Sequence, residues 1–361
     1  MQIEVERREM PLTIDNELIE RFTLQLGKAQ KIAIMSHANP DGDAVGASLG
    51  LYNWLRSSFY AGATMPDVAV ILPHPKPAET TYLPASEVII NAADDMELCE
   101  NKILDADLVI AVDFNNAKRV ESLETALTKS TAMKVVIDHH HGPDDNLFDT
   151  IISFPDLSST CELLYWVFAQ AISDSSINTD TARCLFHGIN TDTGCFAYAN
   201  EDASLYEAAA ALMRHPVGAA DVHNRTYNNY SVTKMRLLAF LLSERLKIFE
   251  EVGFAYLYIT ADDLRRHGGT AEDLEGLVNY TLMMQPMMVG AMVKETDGKV
   301  RISFRAKEDF DVCSFASRHF AGGGHTKASG ATSPYDFDTT IQILEREMIK
   351  ELTAHSKKRK R

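Results

Sequence analysis

The sequence contains no apolar run near the roughly 20 residues that a membrane span requires. Its opening segment, MQIEVERREMPLTID, lacks the apolar core of a secretory signal, so a cytoplasmic protein is expected. Cysteine is sparse: Cys99, Cys161, Cys184, Cys195 and Cys313 are scattered and form no CxxC pair. That spacing argues against a disulfide framework or a zinc ribbon and fits a reducing compartment. Positive charge is scarce too, with 35 Lys and Arg against 51 Asp and Glu and a net charge of −16. A chain this acidic repels long nucleic acid and anionic membrane surfaces, although a local basic pocket remains compatible with it. Neither an internal repeat nor a low-complexity segment is present.

What is present is a globular composition, 45% hydrophobic and 24% charged over 361 residues, enough for two domains with real cores. In the first half, apolar runs suited to strands alternate with helical patterns: Lys31–Ser36, Val68–Leu72, Leu108–Val112 and Lys134–Ile137. Near-continuous apolar strands separated by helices predict a parallel sheet covered on both faces. Helices are expected at Asp43–Leu55, Glu97–Leu104, Ser159–Ala171, Thr181–Gly188 and Ala203–Met213. The reading is a doubly wound, mostly parallel α/β domain over residues 20–215. A long helical pattern, Val232–Phe249, is expected to act as a linker within 216–250. Beyond it, strands at Phe254–Ile259, Met287–Val293 and Val300–Ala306 and helices at Val312–Phe320 and Thr339–Leu352 predict a smaller α/β domain. That domain is placed at 251–350, with a mixed sheet.

Ser36–Gly46, SHANPDGDAVG, is the most informative segment. His37 ends a strand, and Asp41 and Asp43 follow in a turn before a helix. An imidazole and two carboxylates there can converge on a cation, or the Asp-Gly-Asp can simply cap the helix. Two other strand runs also end in polar groups: LVIAV in Asp113, and KVVI in Asp138-His139-His140-His141. Asp192, in GINTDTG after a helix, adds another carboxylate. Strand ends of one parallel sheet share the crevice in which such sheets bind ligands. Several carboxylates and two imidazoles without a thiolate suit Mn²⁺ or Mg²⁺ before Zn²⁺, and six ligands suggest two ions.

Together, HxxxDxD at His37, Asp41 and Asp43, the strand-end Asp113, Asp138-His139-His140 and Asp192 resemble the motifs of the DHH phosphoesterase superfamily. Gly322-Gly323-Gly324-His325, followed by KASG, is similar to the GGGH motif of its DHHA1 domain. The resemblance spans about residues 20–345 and is greatest to the nanoRNase/pAp phosphatase subfamily. It implies that His37, Asp41 and Asp113 hold one metal, and that Asp43, Asp113, His139 and Asp192 hold the other. It further implies that His140 faces the substrate phosphate as a catalytic group and that Asp138 orients the histidine pair. Two Mn²⁺ ions are the expected cofactor, with Mg²⁺ as a substitute, activating water for phosphoester hydrolysis. Arg305 aligns with a substrate-binding position; Arg301, four residues earlier on the strand pattern, shares its face. Gly322, Gly323, Gly324 and His325 complete the expected substrate site.

The implied substrates are short oligoribonucleotides and 3′-phosphoadenosine 5′-phosphate (pAp), with no long nucleic acid and no membrane as partner. A homodimer is compatible with this reading. Alternatives are a linear-dinucleotide phosphodiesterase, an exopolyphosphatase-like enzyme or a non-catalytic nucleotide sensor. Cys195, three residues beyond Asp192, reads as a free buried thiol, and His141 has no assigned role.

Overall fold

The computed structural model describes residues 12–197, 203–296, 298–307, 310–324 and 326–359. The chain divides into two compact units between Asn229 and Tyr230. In the first unit the elements run α1 (Asn16–Lys28), β1 (Lys31–Met35), α2 (Gly42–Trp54), β2 (Asp67–Leu72), β3 (Ile89–Asn91), α3 (Met96–Leu104) and β4 (Leu108–Val112). They continue with α4 (Glu124–Lys129), β5 (Met133–Asp138), β6 (Thr150–Ser153), α5 (Thr160–Ala171), α6 (Thr179–Asp192), α7 (Ala203–Leu212) and α8 (Ala219–Tyr227).

All six strands are parallel, in the order β3-β2-β1-β4-β5-β6. The apolar runs of β1, β4 and β5 are buried on both faces because helices cover each side. Ile32, Ile34, Ile110 and Ile137 pack toward α2 and α5, whereas Ala33, Met35, Ala111 and Val136 pack toward α3 and α4. The sheet grows outward from β1 in one direction, then restarts with β4 on its other side. That reversal opens a crevice at the carboxyl ends of β1 and β4.

α2 and α6 approach closely because small residues line their contact. A Cβ on Gly46 would lie 2.7 Å from the Cys184 carbonyl oxygen, and one on Gly188 would lie 2.7 Å from Asp43 Oδ1. Glycine is required by this close approach, which brings the end of α6 beside the start of α2.

The second unit contains α9 (Val232–Glu244), β7 (Leu246–Phe249), β8 (Phe254–Ile259), α10 (Ala261–Arg266), β9 (Val289–Thr296) and β10 (Lys299–Ala306). It ends with α11 (Val312–His319), β11 (Ala321–Gly324), β12 (Ala328–Ser333) and α12 (Phe337–Arg359). Its sheet is mixed, in the order β11-β12-β10-β9-β8-β7, with β8 and β9 parallel. One face packs Val293, Ile302 and Phe304 against Phe315 of α11 and Leu344 and Met348 of α12. On the other face, Leu257 and Met292 meet Leu237 and Leu241 of α9.

The expected linker over 216–250 is corrected here. α8 belongs to the first unit, while α9 packs into the core of the second. The helical pattern stops at Arg245, whose guanidinium bonds both oxygens of Asp263 on α10 (3.0 and 3.1 Å). Leu246–Phe249 then pairs with β8 as an edge strand. Among the described residues no helix is long and apolar enough to cross a membrane.

Candidate metal centre

β1, β4 and β5 deliver their polar residues to one place. His37 follows β1, Asp113 follows β4, and Asp138-His139-His140 ends β5. The His37 Nδ1–H donates to the Ala38 carbonyl (2.9 Å), and the His139 Nδ1–H to the Leu157 carbonyl (3.2 Å). Each ring is thereby oriented by main chain and turns Nε2 inward. His37 Nε2 lies 3.2 Å from Asp113 Oδ2, and His139 Nε2 lies 3.6 Å from Asp113 Oδ1. This is the presentation a metal-binding imidazole requires, with the outer nitrogen fixed and the inner one available.

The other carboxylates complete the cluster. Asp41 caps α2, its Oδ1 accepting the Asp43 and Ala44 N–H groups (both 3.0 Å), and the same oxygen lies 4.0 Å from His37 Nε2. Capping and cation binding are thus compatible at this residue. Asp192, expected after its helix, is instead the last residue of α6, and its Oδ2 lies 3.4 Å from His139 Nε2. Three groups have mutually close ligand atoms: His37–Asp41–Asp113, Asp43–His139–Asp192 and Asp113–His139–His140.

His140 is held differently. Its Nδ1 bonds the fully buried Asp138 (2.7 Å to Oδ1), whose other oxygen accepts the His140 N–H (3.1 Å). The same Nδ1 is 3.7 Å from Asp113 Oδ1. His141 is exposed, and its carbonyl accepts from Asn115 Nδ2 (2.7 Å), tying together the segments that follow β4 and β5.

Charge is strained across this cluster. Burial opposes a charged His37, but the hydrogen bond and charge of Asp113 outweigh it and raise the imidazole to about 9. His139 also reaches about 9, burial being overcome by Asp113, Asp43 and Asp192. Asp113 is held at about 2 against its own burial, by His37 first and then His139 and His140. Asp192, although its side chain is 31% exposed, is pushed up to about 7, chiefly by loss of solvent around its carboxyl group, with Asp113 and Asp41 opposing the lowering by His139. Asp43 is driven well above the usual carboxylate range by burial, then by Asp113 and Asp192. That rise occurs although two main-chain N–H groups stabilise its ionised form. The cluster therefore contains more carboxylate than its imidazoles can neutralise, as a cation site does.

Sequence reasoning missed what holds Asp43 and Asp113. The first N–H groups of α5, at Thr160 and Cys161, donate to Asp43 Oδ2 (2.7 Å) and Oδ1 (3.0 Å). Thr160 Oγ1 donates to Asp113 Oδ1 (3.0 Å). The Ser159-Thr-Cys-Glu162 pattern marks a helix start; nothing in it says where the freed N–H groups point. Asp113 adopts a left-handed backbone (φ 64°), a conformation Asp tolerates better than most residues. Cys195 is a correction: the thiol is exposed rather than buried, with Sγ 3.2 Å from His223 Nδ1.

In the second unit, Gly322–Gly324 forms most of edge strand β11, not a free turn. A Cβ on Gly322 would lie 2.7 Å from the Ala331 Cβ and the Gly330 carbonyl oxygen, whereas one on Gly323 would meet nothing within 4 Å. Arg305 is half-buried on β10, and its guanidinium donates to the Phe304 carbonyl (2.9 Å). His325 lies outside the described residues.

Similarity to known proteins extends over most of the chain. Residues 31–189 match the DHH family N-terminal domain and residues 251–352 match the DHHA1 domain. A Bacillus subtilis (strain 168) protein named bifunctional oligoribonuclease and PAP phosphatase NrnA is 27% identical, over 91% of this chain and 96% of its own length. A Thermus thermophilus protein of the same name is 25% identical, over 89% of this chain and 90% of its own. The crystal structure of an exopolyphosphatase-related protein from Bacteroides fragilis superposes with a TM-score of 0.90 at 30% identity, covering 95% of this chain and 99% of that one. A chain in which a DHH domain precedes a DHHA1 domain, and in which the motif residues of the first meet at one sheet edge, belongs to the DHH family.

Proposed function

We propose that this protein is a metal-dependent hydrolase of phosphate esters acting on short oligoribonucleotides and pAp. The observation that carries this reading is the convergence of His37, Asp41, Asp43, Asp113, His139 and Asp192 at the carboxyl ends of β1, β4 and β5. In this reading His37, Asp41 and Asp113 hold one ion, and Asp43, Asp113, His139 and Asp192 hold the second. The all-nitrogen-and-oxygen donor set favours Mn²⁺, with Mg²⁺ as substitute. Bound there, such ions supply Lewis acidity toward a phosphoryl oxygen and lower the pKa of water.

The chain's own residues do the rest. Ala38 and Leu157 carbonyls fix the tautomers of His37 and His139, and the start of α5 fixes Asp43. Asp138 clamps His140 through Nδ1 and so fixes the ring, which in its imidazolium form donates from Nε2 to a substrate oxygen or protonates the leaving group. Arg305 and the glycine strand bind the part of the nucleotide away from the reacting phosphate. Residues 20–215 form the catalytic domain and 251–350 the substrate-binding domain in this assignment, and the protein works in the cytoplasm. The names of the NrnA relatives support the substrate class. Similarity to the exopolyphosphatase-related protein of Bacteroides fragilis supports a second reading, hydrolysis of polyphosphate.

The test is a panel of pAp, dinucleotides to pentanucleotides, linear products of cyclic dinucleotides and polyphosphate, assayed after chelation and restoration with Mn²⁺. Preferential turnover of pAp and short RNA is expected. Full activity in the chelated protein would sink the two-metal assignment, and turnover of polyphosphate alone would establish the second reading.

A further inference from the structure

β10 turns alternate residues to opposite faces of the second sheet. Val300, Ile302, Phe304 and Ala306 enter the core, while Arg301, Ser303 and Arg305 face the other way. Over β8 and β9 that second face is covered by α9 and by Leu277–Met283, a segment that also reaches β10 near Arg305, where Thr281 lies against Gly290; toward the Arg301 end of β10, β12 and β11 leave it open. Arg301 stands opposite Lys294 on one side and Thr332 on the other, and Ser303 stands opposite Gly330, which in turn faces Gly323. Here the surface sinks into a depression of about 440 Å³, whose walls include Lys294, Arg301, Ser303 and Thr332 over a floor of Gly323 and Gly330. That volume lies within the range of small-molecule sites.

The polar groups of this depression are uncommitted, with one exception. Lys294 pairs with Glu275. Arg301 is exposed and has no ion pair or hydrogen bond among the described residues, nor have the hydroxyls of Ser303 and Thr332. An unpaired guanidinium beside a side-chain-free sheet surface suits a phosphate attached to a flat ring. The guanidinium takes the anion, the bare peptide planes take the ring face, and the hydroxyls take its polar edge or the sugar. Arg301 and Arg305 are four residues apart on one strand, about 13 Å at ~3.3 Å per residue. That separation of the two backbone positions is long enough for a nucleoside unit to span.

We infer that Arg301 and the glycine-floored depression beside it form a distal nucleotide subsite, which holds a backbone phosphate of the oligonucleotide one or more units beyond the group at Arg305. This inference rests on the proposed function for its substrate class. It makes Arg301 a specificity residue for chain length, because a mononucleotide such as pAp has no unit to extend that far.

The test is binding by the full-length protein, with no requirement for turnover. Wild type, Arg301→Gln and Arg301→Lys are titrated with a fluorescently labelled phosphorothioate tetranucleotide, with pAp and with tripolyphosphate over a series of KCl concentrations. Arg301→Gln is expected to weaken tetranucleotide binding about 5- to 10-fold, the scale of one exposed charge-assisted contact. The slope of log affinity against log salt should fall by about 0.7, the value for one phosphate contact on a single strand. Arg301→Lys should restore that slope, and the loss on pAp should be smaller than on the tetranucleotide. An unchanged slope, or equal losses on tetranucleotide and pAp, overturns the inference. A loss on tripolyphosphate as large as on the tetranucleotide shows a plain polyanion site and overturns the nucleotide assignment. If wild type binds the tetranucleotide in this Arg301-dependent way yet hydrolyses neither it nor pAp with Mn²⁺, the proposed function fails while the subsite stands.

Discussion

At the carboxyl edge of the first sheet, Asp41, Asp43, Asp113 and Asp192 crowd around His37 and His139, and all but Asp41 and Asp192 are largely buried. On the open face of the second sheet, Arg301 and Arg305 stand well apart, and Arg301 is exposed without a partner among the described residues. The first arrangement needs fixing from outside: main-chain carbonyls for the imidazoles, the start of α5 for Asp43, and Thr160 for Asp113. The second relies on less of it: Arg301 is exposed and stays hydrated at little desolvation cost, and half-buried Arg305 donates to the Phe304 carbonyl. Under the proposed function, the groups that act on a bond are thus the ones immobilised at the sheet edge, and the groups that recognise charge are the ones on the second sheet's face. Substitutions in the two regions should accordingly differ in kind as well as in size.

The largest effect is expected at Asp113, the carboxylate common to both proposed ion sites. Asp113→Ala should lower turnover by roughly 10³-fold or more and abolish binding of at least one ion, measured by kinetics and calorimetry. A variant that binds two ions and retains activity would remove the bridging role. Next is His140→Ala, expected to cost roughly 10²–10³ in kcat while metal binding is kept. Loss of an ion in that variant would make His140 a ligand instead.

The second region should respond more selectively. Arg305→Ala should lower kcat/KM on short oligonucleotides by about 1.5–3 kcal/mol and leave bis-p-nitrophenyl phosphate nearly untouched, since that compound has nothing to place at Arg305. Equal losses on both substrates would put Arg305 in the catalytic or folding machinery, and the contrast between the regions would collapse.

The smallest effect is one of pH on the chelated protein. His37 and His139 are raised to about 9 in the folded chain, against an unfolded value near 6.5. The stability they contribute is fully present below about pH 6.5 and is lost as pH rises through 9. Asp192, raised to about 7, acts in the same direction, losing its contribution between its unfolded value and about 7. The melting temperature of the chelated protein should therefore fall from pH 6.5 to 9. The gap between it and the Mn²⁺-loaded protein should widen over that interval, because bound metal requires the deprotonated imidazoles. Parallel melting curves with and without Mn²⁺ would show that these histidines do not bind the ion.

Several elements were legible because burial writes a pattern into the chain. The apolar runs that become β1, β4 and β5 are buried on both faces, and all three end in His or Asp at the carboxyl edge of the sheet. Short edge elements escape that logic. β3, β6 and β7 have three or four residues each, too few to establish a period. β11 leaves no strand signal because three of its four residues are glycine, a poor strand former. It is a strand because Gly322 permits close packing on Ala331 and Ala316. The helical pattern of α9 runs on into Leu246–Phe249 by composition, and the Arg245–Asp263 pair and the edge of β8 end it.

The sequence by itself determined which residue types stand at the carboxyl ends of the strands, and so the chemistry available there. It also determined the acidic balance and the order of the two domains. Tertiary structure decided that β1, β4 and β5 are neighbours, which turns three separate strand ends into one cluster. It decided, through the glycine-lined contact of α2 with α6, that Asp43 and Asp192 face the same imidazole. It also aimed the first N–H groups of α5 at Asp43. These are relations between segments up to about 150 residues apart, set by how helices and strands pack rather than by local pattern.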